Sequence, residues 1–311
     1  MNFFLGIDIG ATFIKYGLFD AGLKKISAAK IRIAKDFSSF MEQLVAIVDK
    51  VAGGHPLRAV GVGVPGFIAK QENRIELAPN IPFLKSVYLQ REIQNRISLP
   101  VTVENDANVA GMGEYVSMPE PRPASFVLLT LGTGLGSGIV LNGQIWQGEC
   151  GYAGELGHVV VNSEGRSCGC GNRGCAETES SESGIVKTYQ ELSSGPRAQD
   201  PEGQPGGQPV TGLEIFQRSR RGDQAALDTF ARAGYYLGIL LLDIANFLNP
   251  AVIAIGGGVA AAGDAILKPA VAEFSRRIYA RNFACTTVRL AGAGNDAGII
   301  GAAHLAALDR R

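Results

Sequence analysis

The chain has 311 residues, of which 46% are hydrophobic and 19% charged; this composition is typical of a globular protein, and the length favours two domains. Because 29 Lys and Arg residues balance 29 Asp and Glu residues, no basic field is available to hold nucleic acid or anionic lipid. No uncharged apolar run approaches the ~18 residues of a membrane-spanning helix, and the N-terminus lacks the basic region of a secretory signal. We therefore expect a cytoplasmic protein with no nucleic-acid or membrane partner.

The first part of the chain reads as strands followed by a helix. Short β-branched and aromatic runs predict strands at Phe3 to Ile9, Phe13 to Phe19 and Lys25 to Ile33. Apolar residues then recur at helical spacing from Phe40 to Val51, before an apolar strand at Ala59 to Val64. These elements predict a meander that opens the fold.

The order of helix and then strand returns twice. A helix near Ser86 to Ile97 precedes Val101 to Glu104, and a long helix near Gln224 to Phe247 precedes Val252 to Ile255. Helices that alternate with buried strands indicate an α/β protein with a mostly parallel sheet.

A second strand–turn–strand unit runs from Phe126 to Leu131, through the glycine-rich residues 132–138, and on to Leu141. It resembles the unit around residue 10 and favours two halves of related design with a cleft between them. Residues Ser193 to Gln208 are rich in Ser, Gly, Pro and Gln and predict a surface excursion.

Asp8, Gly10 and Thr12 follow the first strand, with Lys15 just beyond them. Such a turn can present backbone N–H groups to a phosphate while the carboxylate holds a cation or its water shell. An ordinary hairpin with a polar turn is the alternative.

Two further glycine clusters follow apolar strands: Gly132, Thr133 and Gly134, and Gly256 to Gly258. Backbone without Cβ atoms lets phosphates approach closely at strand ends. Neither cluster continues into Gly-Lys-Ser/Thr or fits the dinucleotide-binding pattern. A nucleotide cleft and plain hairpin corners are both consistent with this pattern.

Asp106 lies where a strand gives way to a short helix. It is either the N-cap of that helix or a general base that accepts the proton of an attacking hydroxyl during phosphoryl transfer. The two roles are compatible.

Cys168, Cys170 and Cys175 follow His158 in one glycine-rich segment. Three thiols and one imidazole are the ligand set of a closed, tetrahedral and structural Zn²⁺ site. The alternatives are scattered free cysteines and a histidine that only makes a buried hydrogen bond. Glu155 and Glu177 flank this segment, either as solvated surface residues or as acceptors for the hydroxyls of a sugar.

Together these motifs resemble those of the ROK family of sugar kinases and related repressors, which have the actin-like ATPase fold. The resemblance runs nearly from end to end of the chain. It is carried by Asp8-x-Gly10-x-Thr12-x-x-Lys15, Val64-Pro65-Gly66, Asn80, Glu104-Asn105-Asp106-Ala107-Asn108, Leu131-Gly132-Thr133-Gly134-x-Gly136, Gly154-Glu155-x-Gly157-His158 and Cys168-x-Cys170-Gly171-x-x-Gly174-Cys175-x-Glu177. Within the family, the chain is most similar to bacterial glucokinases.

The resemblance implies two lobes, each a mixed sheet flanked by helices. The smaller lobe would comprise residues 1–117, completed by a C-terminal helix at 298–311. The larger lobe, residues 118–297, would carry the zinc segment and the surface of a homodimer or homotetramer. The lobes would close over the sugar.

The resemblance also implies residue roles. Asp106 would be the base that activates the sugar 6-hydroxyl, and His158 would serve both the sugar and the zinc ion. The remaining hexose-binding residues would be Asn105, Glu155 and Glu177, with Gly66 and Asn80 lining the pocket. Mg-ATP would be surrounded by Asp8, Gly10, Thr12, Lys15, Gly132, Thr133, Gly134, Gly256, Gly257 and Gly258.

The implied function is an ATP-dependent hexose kinase, first of all a glucokinase. A kinase for N-acetylglucosamine, N-acetylmannosamine or another hexose, a polyphosphate donor and a non-catalytic sugar-sensing regulator are the alternatives. Repressors of the family carry an N-terminal helix-turn-helix domain, for which the turn at Asp8 is expected to leave no room. The chain departs from the family pattern at three positions. Phe83 and Leu84 replace a Gly-Trp pair that is frequent in the family, and Ser137 replaces a common glycine.

Overall fold

The structure is a computed structural model that describes residues 2–193, 210–279 and 285–308. The predicted surface excursion, apart from Ser193, lies outside the described residues, as do the last three residues of the predicted C-terminal helix.

Strands and helices alternate along the chain in an α/β protein, as predicted. The strands are β1 (Phe3–Ile9), β2 (Phe13–Asp20), β3 (Lys25–Arg32), β4 (Leu57–Val64), β5 (Phe67–Ala69), β6 (Arg74–Leu77), β7 (Val101–Asn105), β8 (Ser125–Leu131), β9 (Leu135–Leu141), β10 (Gln144–Ile145), β11 (Val252–Gly256) and β12 (Thr287–Leu290). The α-helices are α1 (Phe37–Ala52), α2 (Leu89–Gln94), α3 (Asp106–Val116), α4 (Ala176–Ser180), α5 (Glu182–Ser193), α6 (Gly212–Arg220), α7 (Gln224–Leu248), α8 (Asp264–Arg277) and α9 (Ala297–Leu308).

The chain divides into two compact units. Unit 1 comprises Met1–Leu128, Gly138–Gly154 and Gly292–Arg311, and unit 2 comprises Leu129–Ser137 and Glu155–Ala291. The division into two lobes stays a prediction. The smaller predicted lobe comprises residues 1–117 and 298–311, and the larger one comprises residues 118–297.

Each large sheet mixes parallel and antiparallel pairs. The first has the order β3-β2-β1-β4-β7, in which the β1–β2–β3 meander is antiparallel while β1, β4 and β7 are parallel. The second has the order β10-β9-β8-β11-β12 and contains an antiparallel β9–β10 pair and a parallel β11–β12 pair. The expectation of a mostly parallel sheet is therefore wrong, because short meanders supply antiparallel strands.

The segment between β4 and β7 also differs from its prediction. The helix predicted from Ser86 to Ile97 is only α2, because Ser86 has a φ of 61° and Val87 forms a bridge with Ile75 of β6. The long helix predicted near residues 224–247 is α7; the Asp223 side chain caps its N-terminus, and Asn249 ends it in the left-handed region.

Helix α9 packs unusually close to the first sheet. A Cβ atom on Gly61 of β4 would lie 1.8 Å from the backbone oxygen of Ala302, and one on Gly113 of α3 would lie 1.8 Å from that of Ala297. Backbone-to-backbone packing of this kind holds β4, α3 and α9 together, and α3 begins at Asp106.

Within the described ranges, none of the helices combines the length and hydropathy that crossing a bilayer requires.

We expect Gly61→Ala to destabilise the protein because the added methyl group meets rigid backbone. The loss should be about 1–3 kcal/mol or more in chemical denaturation, the range of overpacking substitutions. Gly54→Ala is the matched control, since a Cβ atom there meets no heavy atom within 4 Å. Equal stability of the two variants would contradict the packing described here.

Candidate active site

The turn between β7 and α3 holds the predicted base. The Asn105 side chain caps α3 by accepting hydrogen bonds from the backbone N–H groups of Ala107 at 2.9 Å and Asn108 at 3.1 Å. Asp106 is therefore not the N-cap but the first helical residue, and its Oδ1 accepts from Ala107 N–H at 2.9 Å. The capping role that the sequence offered as the alternative for Asp106 belongs to Asn105.

Asn105 also connects this turn to the segment after β4. Its Nδ2 donates to the backbone oxygen of Gly66 at 3.0 Å. Gly66 has a φ of 130°, and a Cβ atom there would lie 2.3 Å from the Leu77 oxygen. Asn80 is exposed after β6, and among the described residues no hydrogen bond links it to Asn105 or Gly66. The structure thus joins two of the three predicted residues.

Glu104 also belongs to this turn, although no role was predicted for it. Its Oε1 accepts from Asn105 N–H at 2.8 Å and from Asn108 Nδ2 at 3.0 Å, and its Oε2 accepts from Gln147 Nε2. Burial raises the pKa of this carboxyl, and the hydrogen bonds from Asn108, Asn105 and Gln147 lower it. Glu104 therefore fixes the backbone that carries Asp106. The only sequence signal was its place next to Asn105.

The predicted Asp8 turn is assembled within unit 1. Asp8 faces Lys15 across the β1–β2 pair, and Gly10 N–H donates to the Phe13 oxygen at 2.9 Å. Burial raises the pKa of Asp8, and the positive charge of Lys15 opposes that rise. Burial makes the Asp8 carboxylate costly to ionise, and Lys15 only partly offsets that cost. A bound cation would stabilise the ionised carboxylate.

Two glycine clusters lie next to each other in unit 2. Gly132 N–H donates to the Gly134 oxygen at 2.9 Å, while the Gly132 and Thr133 oxygens accept from Glu182 N–H and Ser183 Oγ, each at 2.8 Å. Within the part of the chain that the structure describes, the N–H groups of Thr133 and Gly134 have no partner. Gly257 has a φ of 85°, and a Cβ atom there would lie 2.4 Å from the Leu131 oxygen. The arrangement leaves amides available for an anion.

An apolar cavity of about 330 Å³ adjoins the second cluster. It is lined by residues of α5, α6 and α7 and of the turn after β11, among them Ile185, Leu213, Phe216, Phe230, Gly258 and Val259. Sequence reasoning missed this cavity because four separate segments contribute its walls. It has the size and lining of a small-molecule pocket.

The predicted metal ligands converge. One ligand atom from each of His158, Cys168, Cys170 and Cys175 lies within 4.8 Å of all the others. His158 Nδ1 is 3.6 Å from Cys168 Sγ, and the Cys170 and Cys175 sulfurs are 3.6 Å apart. Zn–S and Zn–N bonds of ordinary length predict tetrahedral edges of about 3.6–3.8 Å. These residues fit a zinc ion.

Thiol chemistry supports the same ligand set. Burial raises the pKa of Cys175 to about 12 and also raises that of Cys168, whereas the backbone N–H of Asn172 lowers the pKa of Cys170. Zinc binds thiolates, so a bound ion would supply the positive charge that two buried sulfurs need to deprotonate.

Glu155, His158 and Glu177 lie together beside the metal ligands. His158 Nε2 is 4.0 Å from Glu155 Oε2, on the side of the ring opposite the Nδ1 that faces Cys168. Glu177 Oε2 accepts from Leu135 N–H at 2.9 Å. Burial raises the pKa of Glu155; His158 lowers it and the charge of Glu177 raises it. The structure brings these three predicted residues into one cluster of two carboxylates and an imidazole.

An ion network that joins Arg166, exposed Glu191 and fully buried Glu179 was not predicted. Arg166 donates to both oxygens of Glu191, at 2.9 and 2.7 Å, and to the Thr178 oxygen at 2.9 Å. Fully buried Glu179 of α4 accepts from Asn162 Nδ2 at 2.9 Å and pairs with Arg166 at 3.3 Å. These contacts fix α4, which carries Glu177. In the sequence they look like surface charges.

Comparison with known proteins identifies the family. The profile of the ROK family matches residues 4–308. The chain belongs to the ROK family.

Its relatives include well-matched kinases. The chain is 35% identical over 318 residues to a glucokinase of Halalkalibacterium halodurans, covering 98% of this chain and 94% of that protein. It superposes on the crystal structure of a ROK family glucokinase from Streptomyces griseus in complex with glucose and AMPPNP with a TM-score of 0.82 and 32% identity, covering 98% of this chain and 99% of that one. The ROK hexokinase from Thermus thermophilus gives a TM-score of 0.84 at 30% identity, over 99% and 98% of the two chains. These structures confirm the expected actin-like fold.

ROK regulators are also similar. The xylose repressor of Bacillus subtilis is 28% identical over 284 residues, which cover 89% of this chain and 70% of the repressor. Family membership alone therefore does not separate a kinase from a regulator.

Ionisation of Asp8 should destabilise the protein at neutral pH, since burial raises the pKa of this group above its ordinary value of 3.8. We expect Asp8→Asn to increase the free energy of unfolding by an amount that is small below the ordinary pKa of 3.8, grows as the pH rises above it, and levels off once the pH passes the folded-state pKa of Asp8. Urea denaturation without nucleotide or Mg²⁺ measures it. Exposed Asp49→Asn serves as the control, and equal pH profiles of the two variants would contradict the assignment.

Proposed function

We propose that the protein is an ATP-dependent hexose kinase that transfers the γ-phosphoryl group to the 6-hydroxyl of glucose. The observation that carries the proposal is the Asp106 carboxylate at the start of α3, on a turn fixed by Asn105 and Glu104. Near-full-length similarity to glucokinases at 32–35% identity supports glucose as the substrate.

Asp106 acts as the general base. As the sugar O6 forms a bond to the γ-phosphorus, its proton passes to the Asp106 carboxylate, and the bond to the β,γ-bridging oxygen breaks to release ADP. The cap that Asn105 makes keeps Asp106 in the first turn of α3, so the base is oriented before the sugar binds.

Hexose hydroxyls bind acceptors on rigid segments. Glu155 and Glu177 accept hydrogen bonds from hydroxyls, and His158 uses Nε2 for the sugar while Nδ1 faces the sulfurs. The Oδ1 of Asn105 is occupied by the helix cap, so Asn105 would donate its remaining Nδ2 hydrogen to a hydroxyl, and Gly66 and Asn80 would line the pocket. A polyol needs several acceptors fixed in place, and the network of Arg166 and Glu179 fixes α4 beneath Glu177.

The phosphoryl donor is a nucleoside triphosphate. The amides of Thr133 and Gly134 and the turn at Gly256 to Gly258 receive phosphate oxygens, and the adjoining cavity of about 330 Å³ accepts the base. Inorganic polyphosphate has no group for an apolar cavity, so the cavity favours ATP. Asp8 is suited to holding Mg²⁺ or its water shell, and Mg²⁺ would neutralise charge on the phosphates, while Gly10, Thr12 and Lys15 are proposed to face the phosphates of ATP.

Zinc has a structural role in this proposal. With His158 and three thiolates as ligands, the ion has no open position for chemistry and holds the segment between Glu155 and Glu177. A homodimer or homotetramer and a cytoplasmic location, both expected from the sequence, stay predictions.

A sugar-sensing regulator is the second candidate, favoured by the similarity to the xylose repressor. A coupled assay of ADP release with glucose, mannose, fructose, N-acetylglucosamine and N-acetylmannosamine separates the two functions. Hexose binding without any ADP release would favour the regulator.

We expect Asp106→Asn to lower kcat with glucose by at least about 100-fold, the scale of general-base catalysis, while glucose still binds. Calorimetric titration of glucose and the ADP assay measure both properties. Asp36→Asn is a matched control, because the Asp36 side chain only caps α1. Near-normal turnover by the Asp106 variant would refute the assigned base.

Zinc should be near-stoichiometric in protein purified without chelator, as measured by elemental analysis. We expect Cys170→Ser to lower both the zinc content and the affinity for glucose, because one ligand of the segment is lost. Cys150→Ser and Cys285→Ser are controls, since both thiols are exposed and outside the ligand cluster. Wild-type protein free of zinc would defeat this part of the proposal.

A further inference from the structure

Glu177 joins two functional segments of unit 2. It lies on α4, two residues after the metal ligand Cys175. Its Oε2 accepts from Leu135 N–H at 2.9 Å, and its Oε1 lies 4.0 Å from Cys168 Sγ. One carboxylate therefore contacts both the cysteine segment and the glycine loop at residues 132–136.

The glycine loop is shaped around this carboxylate. A Cβ atom on Gly134 would lie 2.3 Å from Glu177 Oε2, although the backbone of Gly134 is not in the left-handed region. A methyl group on Gly134 would therefore meet the end of the Glu177 side chain, which would have to move from its present position. Gly134 and Thr133 carry the amides available for phosphate.

Helix α4, which carries Glu177, is held in place by contacts of its other residues. Arg166 donates to the Thr178 oxygen at 2.9 Å, and buried Glu179 pairs with Arg166 and Arg232. Because these contacts fix the backbone of α4, we expect Glu177 to move through rotation of its side chain. That side chain contacts the Leu135 amide directly.

We propose that Glu177 is a positioning residue that couples hexose binding to nucleotide binding by fixing the 132–136 loop, an inference that rests on the proposed function. A hexose hydroxyl on Glu177 restricts its rotamers and so orders the Leu135 amide and the phosphate-binding amides beside it. The nucleotide then binds a loop that is already ordered, so its binding costs less conformational entropy. The coupling between the two ligands is therefore positive. Linkage requires that nucleotide raise glucose affinity by the same factor.

Calorimetric titration of Mg-AMPPNP into the full-length zinc-bound protein, with and without saturating glucose, measures the coupling factor. We expect a factor of at least about 5 for the wild type, the lower end of ordinary allosteric coupling. Glu177→Ala should reduce it to below about 2. Glu155→Ala also removes a proposed hexose acceptor, and among the described residues Glu155 makes no hydrogen bond to the loop, so this variant should keep the wild-type factor at higher glucose concentration.

Two further variants separate positioning from loss of a ligand. Glu177→Gln keeps an oxygen that accepts from Leu135, so it should retain the coupling. Gly134→Ala keeps the Glu177 side chain but displaces its carboxylate from the Leu135 amide, so it should lose the coupling. Each coupling factor is the ratio of the nucleotide affinities of one variant with and without glucose. Weaker binding alone therefore does not lower it.

A wild-type factor of 1, or a wild-type factor in Gly134→Ala, overturns the coupling while leaving the kinase proposal intact. Absence of glucose binding and of ADP release with every hexose overturns the proposed function itself.

Discussion

The convergence of one imidazole and three thiols on a single point is the constraint on which the segment between Glu155 and Glu177 depends. The four ligand atoms lie within 4.8 Å of one another, and two of the sulfurs belong to buried residues whose pKa burial raises. A zinc ion at that point would balance the charge of the thiolates and hold the segment rigid. Glu155 and Glu177, at either end of the segment, would then have fixed positions.

Three carboxyl groups of this chain lie where their ionisation costs stability. Burial raises the pKa of Asp8, Glu104 and Glu155, so each of these carboxylates is held where ionisation is unfavourable. Packing elsewhere compensates, above all the close approach of α9 to β4 and α3 at glycines. Carboxylates in such sites gain more from a cation or a hydroxyl donor than solvated ones do, because their environment offers little competing hydration.

The sequence predicted what local patterns encode. Spacing of cysteines and glycines identified the cysteine segment and the glycine turns, and the turn at Asp106 was located even though its cap proved to be Asn105. It could not reveal contacts between distant segments. Gln147 donates to Glu104 from a separate loop, the cavity has walls from four segments, and Arg166 and Glu179 look like surface charges until they are seen paired. The mixed sheets followed from the meanders that interrupt the helix–strand alternation.

The most direct test of this account is a crystal structure of the protein with glucose, with data collected at the zinc absorption edge. We expect an anomalous peak coordinated by His158 Nδ1 and by the sulfurs of Cys168, Cys170 and Cys175, and glucose hydroxyls within hydrogen-bond distance of Glu155 and Glu177. A cysteine segment without metal, or a bound glucose that contacts neither carboxylate, would contradict the account.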